Sequence, residues 1–175
     1  MSEKKPEKEK RRASRLVLFL LLALYLSFLE TLVPKPVPWF KIGFANMVTL
    51  LVLEKYGFKM ALEQTALRIF IQNMALGTML TPGFLISLTA GLGAVFVMGG
   101  LFSRRKNLSL VAISVAAAVF HNFIQLVVVW FLLFRSITIK SRYTLLFILF
   151  FLLLGVVSGA ITGVLCARIR IRREA

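Results

Sequence analysis

The sequence predicts an all-α membrane protein with six transmembrane helices. Hydrophobic residues make up 59% of the 175 residues, and the mean hydropathy is +0.86. A chain of this composition matches the interior of a bilayer better than it matches water. The apolar residues also fall into six separate runs, at roughly Ser14–Val33, Ile42–Leu53, Met60–Leu80, Phe84–Phe102, Leu108–Phe134 and Tyr143–Ala167.

Helix-breaking or charged residues separate these runs. The first run closes at a proline-rich turn, residues 34–38, and the third closes at Thr81-Pro82-Gly83. The second run, with about 12 residues, is shorter than the roughly 20 residues that a full span needs. We expect it to be tilted, kinked or continued by the neighbouring Trp39-Phe40 pair.

The positions of the basic residues predict the orientation in the membrane. Cytoplasmic loops of membrane proteins carry an excess of Lys and Arg. With the N-terminus inside, 16 of the 22 Lys and Arg residues fall on the inner side and five on the outer side. Omitting the short second run would place the cluster Arg104–Lys106 outside. Six spans with both termini in the cytoplasm therefore fit the charges better than five.

Two charged tails flank the predicted membrane domain, residues 16–167. Residues 1–15 are charged and poor in apolar side chains, so we expect a disordered basic tail in the cytoplasm. Residues 168–175 form a second basic tail. The first tail also resembles the start of a signal peptide, but the run after it lacks a small-x-small cleavage site and leads into further spans.

Several classes of function are disfavoured by the composition. The formal charge of +15 comes mostly from residues at the ends of apolar runs, where they meet lipid headgroups and not nucleic acid. Cys166 is the only cysteine, which excludes internal disulfides and Cys-based metal sites. There is no Asp, no phosphate-binding loop and no nucleophile–base–acid group. We expect no catalysis by this chain alone and no cofactor.

Polar side chains inside the apolar runs are the candidates for a functional site. Ionisable groups within a bilayer are costly unless they are paired, hydrated or bound to a ligand. A small protein that keeps several of them is expected to hold a polar ligand, or a polar network, near mid-membrane. These side chains are Glu30, Asn46, Arg68, Gln72, Asn73, His121, Asn122 and Gln125.

Arg68 is the most informative of them. It lies about eight residues, roughly 12 Å, from the inner end of the third run, and a guanidinium cannot lose its proton to avoid burial. Gln64, Arg68 and Gln72 follow at four-residue spacing, so they form one polar stripe on a helix. Two interpretations stay open: Arg68 contacts a ligand, or it forms an ion pair with Glu30.

A second polar group lies on the fifth run, where His121, Asn122 and Gln125 share one helical turn. A single histidine without nearby carboxylates or thiolates does not make a metal site. We predict a pocket that opens outward; the alternative is a dry network of hydrogen bonds between helices. The predicted lining consists of Glu30, Lys41, Asn46, Arg68, Gln72, His121, Asn122 and Gln125.

Small residues at four-residue spacing mark close helix contacts. Gly155, Gly159 and Gly163 form such a stripe on the sixth run, where we expect packing within the chain. Ala23 and Ser27 form a weaker stripe on the first run. For this second stripe, internal packing and contact with another protein are both open.

The order of these motifs resembles a known family. Glu30, Pro34-x-Pro36, Lys41-x-Gly43-x-x-Asn46, Arg68 and His121-Asn122-x-x-Gln125 are similar to bacterial membrane proteins labelled heptaprenyl diphosphate synthase component I, also called the Gx transporter family. The resemblance spans roughly residues 16–167. It implies a multi-pass protein of the bacterial cytoplasmic membrane.

The family in turn resembles the substrate-binding S components of energy-coupling factor transporters. This implies a six-helix bundle that captures a vitamin-like ligand from outside and associates with a T protein and two ATPases. Arg68 and Lys41 favour an anionic ligand, and aromatic walls favour a ring or an isoprenoid part. Small residues on helix one contact the T protein in such transporters, which implies docking at Ala23 and Ser27, although Ala-xxx-Ser replaces the usual Ala-xxx-Ala.

The family's enzyme label implies a different function. Under it, the chain is a non-catalytic membrane subunit that helps to make the isoprenoid tail of menaquinone beside a soluble prenyl diphosphate synthase subunit. The absence of Asp fits poorly with catalysis, because prenyl synthases hold Mg²⁺ and diphosphate with Asp-rich pairs. The two functions predict different partners: ATPases for a transporter subunit and an Asp-rich prenyltransferase for a synthase subunit.

Overall fold

In the computed structural model, which describes residues 4–32, 43–104, 108–133 and 142–174, the chain is all-α. The described residues contain six helices and no strand, which confirms the all-α part of the prediction. In chain order the helices are α1 Lys4–Leu32, α2 Phe44–Tyr56, α3 Phe58–Ala75, α4 Pro82–Phe102, α5 Leu110–Leu133 and α6 Arg142–Glu174.

Four of the described helices are long and apolar enough to cross a membrane, and they indicate a multi-pass membrane protein. Their apolar stretches are Glu7–Leu32, Pro82–Phe102, Leu110–Leu132 and Arg142–Ile169. The other two helices, α2 and α3, fall short. α2 has 13 residues, about 20 Å against a hydrocarbon core of about 30 Å, and α3 carries three charged side chains within its 18 residues. Six spans therefore stay a prediction.

Most of each basic tail lies in a helix. α1 begins at Lys4 and α6 ends at Glu174, so most of the first tail, for which we expected disorder, continues a helix, as does most of the second. Lys, Arg and Glu are good helix formers, and Glu7 pairs with Arg11 one turn away at 2.6 Å. Arg12 also contacts both carboxylate oxygens of Glu63 on α3, at 2.9 and 2.7 Å.

The short helix α2 lies at the centre of the bundle. It contacts α1, α3, α4 and α6, and Val48, Leu50 and Val52 are fully buried. A single residue, Gly57, connects α2 to α3 with φ +85° and ψ 176°, a conformation that is essentially restricted to glycine. α3 therefore folds back along α2, and Thr49 on α2 bonds to Gln64 on the polar stripe of α3.

α5 and α6 pack through the predicted glycine stripe. A Cβ atom added at Gly159 would lie 2.6 Å from Val115 Cα, and one at Gly163 would lie 2.7 Å from Val111 Cα. The glycines thus let the two backbones touch. Ser114 and Thr162 add a hydrogen bond of 2.8 Å between the helices. The expected role of this stripe in packing within the chain is confirmed.

We expect Gly159→Ala to lower the melting temperature of the detergent-solubilised protein by several degrees. The added methyl group meets backbone atoms that have no rotamer to change, and overpacking of this kind costs about 1–3 kcal/mol. Thermal unfolding followed by circular dichroism measures the effect. Gly100→Ala on α4 is the matched control, because its added Cβ meets nothing within 4 Å. Equal melting temperatures for the two variants would contradict the packing role.

Candidate functional site

A small cavity lies where five helices converge. Its volume is about 10 Å³, which is about the space that one water molecule needs. Helices α1, α3, α4 and α5 contribute to its wall, and α2 contributes its first turn. The lining residues are Glu30, Gly43, Ala45, Asn46, Arg68, Ile69, Ser87 and His121.

Four of the residues predicted for the site meet at this cavity, and each comes from a different helix. Glu30 is on α1, Asn46 on α2, Arg68 on α3 and His121 on α5. Asn46 is half-buried and the other three are buried. Residues far apart in the sequence therefore line one small space.

Arg68 is 4% exposed and has an unmet hydrogen-bonding requirement. Its Nε atom is buried without a hydrogen-bond partner. Among the described residues, ion pairs within 4.0 Å form between Arg11 and Glu7 and between Arg12 and Glu63. The pairing considered for Arg68 and Glu30 is thus not a direct salt bridge. Both charges line the same cavity, where a water molecule or a polar ligand can meet both.

Glu30 also fixes the start of α2. Its carboxylate accepts a hydrogen bond from the backbone N–H of Gly43, the residue before α2 begins. Gly43 has φ +92°, in the left-handed region that favours glycine, and its carbonyl accepts the N–H of Asn46 at 2.8 Å. The first N–H groups of a helix have no partner within the helix, so a carboxylate there is stabilising.

The other polar residues of the α3 stripe contact neighbouring helices. Ser27 Oγ on α1 donates to Gln72 Oε1 at 2.7 Å, and Thr49 Oγ1 donates to Gln64 Oε1 at 3.1 Å. Gln64 Nε2 is buried without a hydrogen-bond partner. Gln72, which we predicted for the site, serves the contact between α1 and α3 and is not among the residues that line the cavity.

Asn122 and Gln125 do not line the cavity either. Asn122 Nδ2 donates to the backbone carbonyl of Phe151 on α6 at 2.9 Å, and Gln125 is fully buried. Consecutive residues of a helix point about 100° apart, so His121 and Asn122 reach different neighbours. Lys41, which we predicted for the mouth of the pocket, lies outside the described residues.

The small residues of α1 face the inside of the bundle. Ala23 is fully buried and Ser27 is 2% exposed. The close approach of α1 to α3 also makes the hydrogen bond between Ser27 and Gln72. Contact of Ala23 and Ser27 with a T protein would therefore require α1 to move away from α3.

Ser87 on α4 lines the cavity, and the sequence does not single it out. A lone serine in an apolar span gives little signal, because its hydroxyl can bond to the backbone of its own helix. Its position near the start of α4 is the one sequence feature that relates it to the site. Ser87 lies little more than one turn after α4 begins, and it lines the same cavity as Glu30, near the end of α1, and Gly43, just before α2.

The cavity offers groups of both charges to a small polar ligand. Arg68 supplies a cation and Glu30 a carboxylate, while Asn46, Ser87 and His121 can donate or accept hydrogen bonds. Within the part of the chain that the structure describes, no three His, Cys, Asp or Glu side chains are grouped to hold a metal ion. The arrangement is suited to binding a ligand that has polar or charged atoms.

Comparison with known proteins identifies the family. A family model described as heptaprenyl diphosphate synthase component I matches residues 19–169. The match covers most of the chain, so the chain belongs to this family, as the motifs around Glu30, Arg68 and His121 indicated. No curated protein and no solved structure matches the chain.

Proposed function

We propose that the chain is the non-catalytic membrane subunit of a two-component heptaprenyl diphosphate synthase, which contributes to the isoprenoid tail of menaquinone. The observation that carries this proposal is the family match over residues 19–169. The term component I implies a second component. Because the chain has no Asp, the proposal assigns the diphosphate chemistry to that partner, a soluble prenyl diphosphate synthase subunit.

The chemistry of the product supports a membrane subunit. A long prenyl diphosphate has an apolar tail, which favours the bilayer, and a charged head, which favours water. A soluble enzyme that makes such a product can release its apolar tail directly into the bilayer if a partner holds the enzyme at the membrane surface. The apolar helices α1, α4, α5 and α6 supply a membrane anchor for such a complex.

The proposal includes six spans with both termini on the cytoplasmic side of a bacterial cell membrane. Its support is the excess of Lys and Arg on the predicted inner side. The structure adds charged contacts at one end of the bundle. Arg12 of α1 pairs with Glu63 of α3, and Arg15 of α1 lies 5.6 Å from the ring centre of Tyr56 on α2.

Cysteine labelling tests this topology. In a Cys166→Ser background, single cysteines at positions 104 and 138 should react from opposite sides of the membrane. We expect a membrane-impermeant maleimide added outside intact cells to label position 138, and to label position 104 only after the cells are opened. Labelling of both positions from outside would contradict six spans.

A second candidate function follows from the cavity. The convergence of Glu30, Asn46, Arg68 and His121 also supports a ligand-capturing subunit, similar to an S component, that takes up an anionic or ring-containing compound from outside. Such a subunit would work with a T protein and ATPases. The burial of Ala23 and Ser27 weighs against the docking mode that the resemblance implies, unless α1 moves.

Copurification separates the two functions. We expect the chain, extracted in mild detergent from its native membranes, to retain a soluble protein with Asp-rich prenyltransferase motifs, identified by mass spectrometry. An unrelated polytopic protein carrying the same tag is the control. Adding the purified chain in liposomes should raise the yield of long prenyl diphosphate from that partner several-fold. Recovery of a T protein with ATPases, and of no prenyltransferase, would reject the synthase function in favour of transport.

A further inference from the structure

The described residues that line the cavity include three titratable or charged side chains. They are Glu30 from α1, Arg68 from α3 and His121 from α5. From α2 and its N-terminus the cavity receives Gly43, Ala45 and Asn46, and from α4 it receives Ser87, none of which titrates near neutral pH. α6 contributes no residue to the lining. With a neutral His121, the charges of Arg68 and Glu30 cancel, and the described lining is electrically neutral.

Arg68 brings a cationic guanidinium with an unmet hydrogen-bonding requirement to the wall of the cavity. Its Nε atom is a buried donor with no hydrogen-bond partner on a side chain that is 4% exposed. A buried donor of this kind is costly unless it meets a water molecule or a ligand oxygen. Glu30 Oε1 accepts the Gly43 N–H, and among the described residues Glu30 forms no ion pair within 4.0 Å with Arg68. An incoming anionic group is therefore the partner that best suits Arg68.

Against the described lining, which is neutral when His121 is neutral, an entering anion leaves one negative charge uncompensated, and such a charge is expensive in a low-dielectric interior. A proton taken up with the anion removes this cost. Histidine is the side chain that changes its charge near neutral pH, and His121 lines the same cavity as Arg68. Protonated His121 and Arg68 together would balance Glu30 and one anionic group.

We propose that the cavity binds an anionic group together with one proton, and that His121 carries this proton. The anionic group is either a small anion or the charged end of a larger ligand. This inference rests on the proposal that the cavity is a ligand site, and it names the ligand class and its dependence on pH. Binding of the anion and protonation of His121 then favour each other, as linkage requires.

The chain has one histidine, so His121 can be observed alone. We would label the untagged protein with ¹⁵N-histidine in nanodiscs and use chloride as the probe, because it is a small monoatomic anion that does not titrate. Gluconate at equal ionic strength is the control for screening. We expect chloride, and not gluconate, to increase the protonated fraction of His121. Chloride affinity should fall about tenfold per pH unit above the pH at which His121 loses its proton.

Three variants test the roles of the side chains. The chloride affinity of His121→Gln should not depend on pH. At every pH it should equal the weak affinity that the native protein has at high pH. Glu30→Gln should bind chloride at high pH as well, because it leaves the lining with a net positive charge. Asn122→Ala is the matched control next to His121, since its amide bonds to Phe151 and does not line the cavity. It should keep the native pH dependence.

The outcomes separate two statements: that the cavity binds a ligand, and that anion binding is coupled to protonation of His121. Chloride binding that does not change between about pH 5 and about pH 8, the range of an ordinary histidine, would overturn the coupling and leave the ligand site standing. No chloride binding at any pH, while His121 still titrates, would overturn the ligand site itself. A pH dependence that survives His121→Gln would assign the proton to another group. The spectrum of the native protein decides the first two outcomes even if a variant fails to fold.

Discussion

The buried guanidinium of Arg68 determines which groups the neighbouring helices must bring to the centre of the bundle. This group stays charged at any physiological pH, and Arg68 is 4% exposed inside a bundle whose outer surface is apolar. A bilayer offers such a group no solvent, so the protein must surround it with polar atoms. Glu30, Asn46, Ser87 and His121 supply these atoms from four other helices. The cavity is thus a consequence of placing one arginine in the middle of α3.

The short helix α2 makes this arrangement possible. It has 13 residues, the N–H of Gly43 just before it binds Glu30, and its first turn forms part of the cavity wall. The tight connection at Gly57 then holds α3 against α2. The helix that is too short for a full membrane span thus supplies part of the wall of the site.

Part of the fold and part of the site follow from the sequence. The six helices follow from the apolar runs and their breakers, and the glycine stripe of α6 follows from spacing. Burying a polar group without a partner is costly, and the sequence offers Arg68 few partners inside the bundle. The sequence therefore predicts that Arg68 shares one site with Glu30, Asn46 and His121. The partners of Gln72 and Asn122 could not be predicted in this way. Ser27 Oγ and the backbone carbonyl of Phe151 satisfy them, and neither a lone hydroxyl nor a backbone carbonyl leaves a pattern in the sequence.

We infer that the charges of Arg68 and Glu30 balance each other across the cavity, and a double-mutant cycle measures this coupling. The free energy of unfolding in detergent would be measured for Arg68→Met, Glu30→Gln and the double variant. Each single change leaves one buried charge uncompensated, which is strongly destabilising, whereas the double change removes both charges. We expect the double variant to lose less free energy of unfolding than the two single variants lose together, with a coupling of about 1 kcal/mol or more. Additive effects would contradict it.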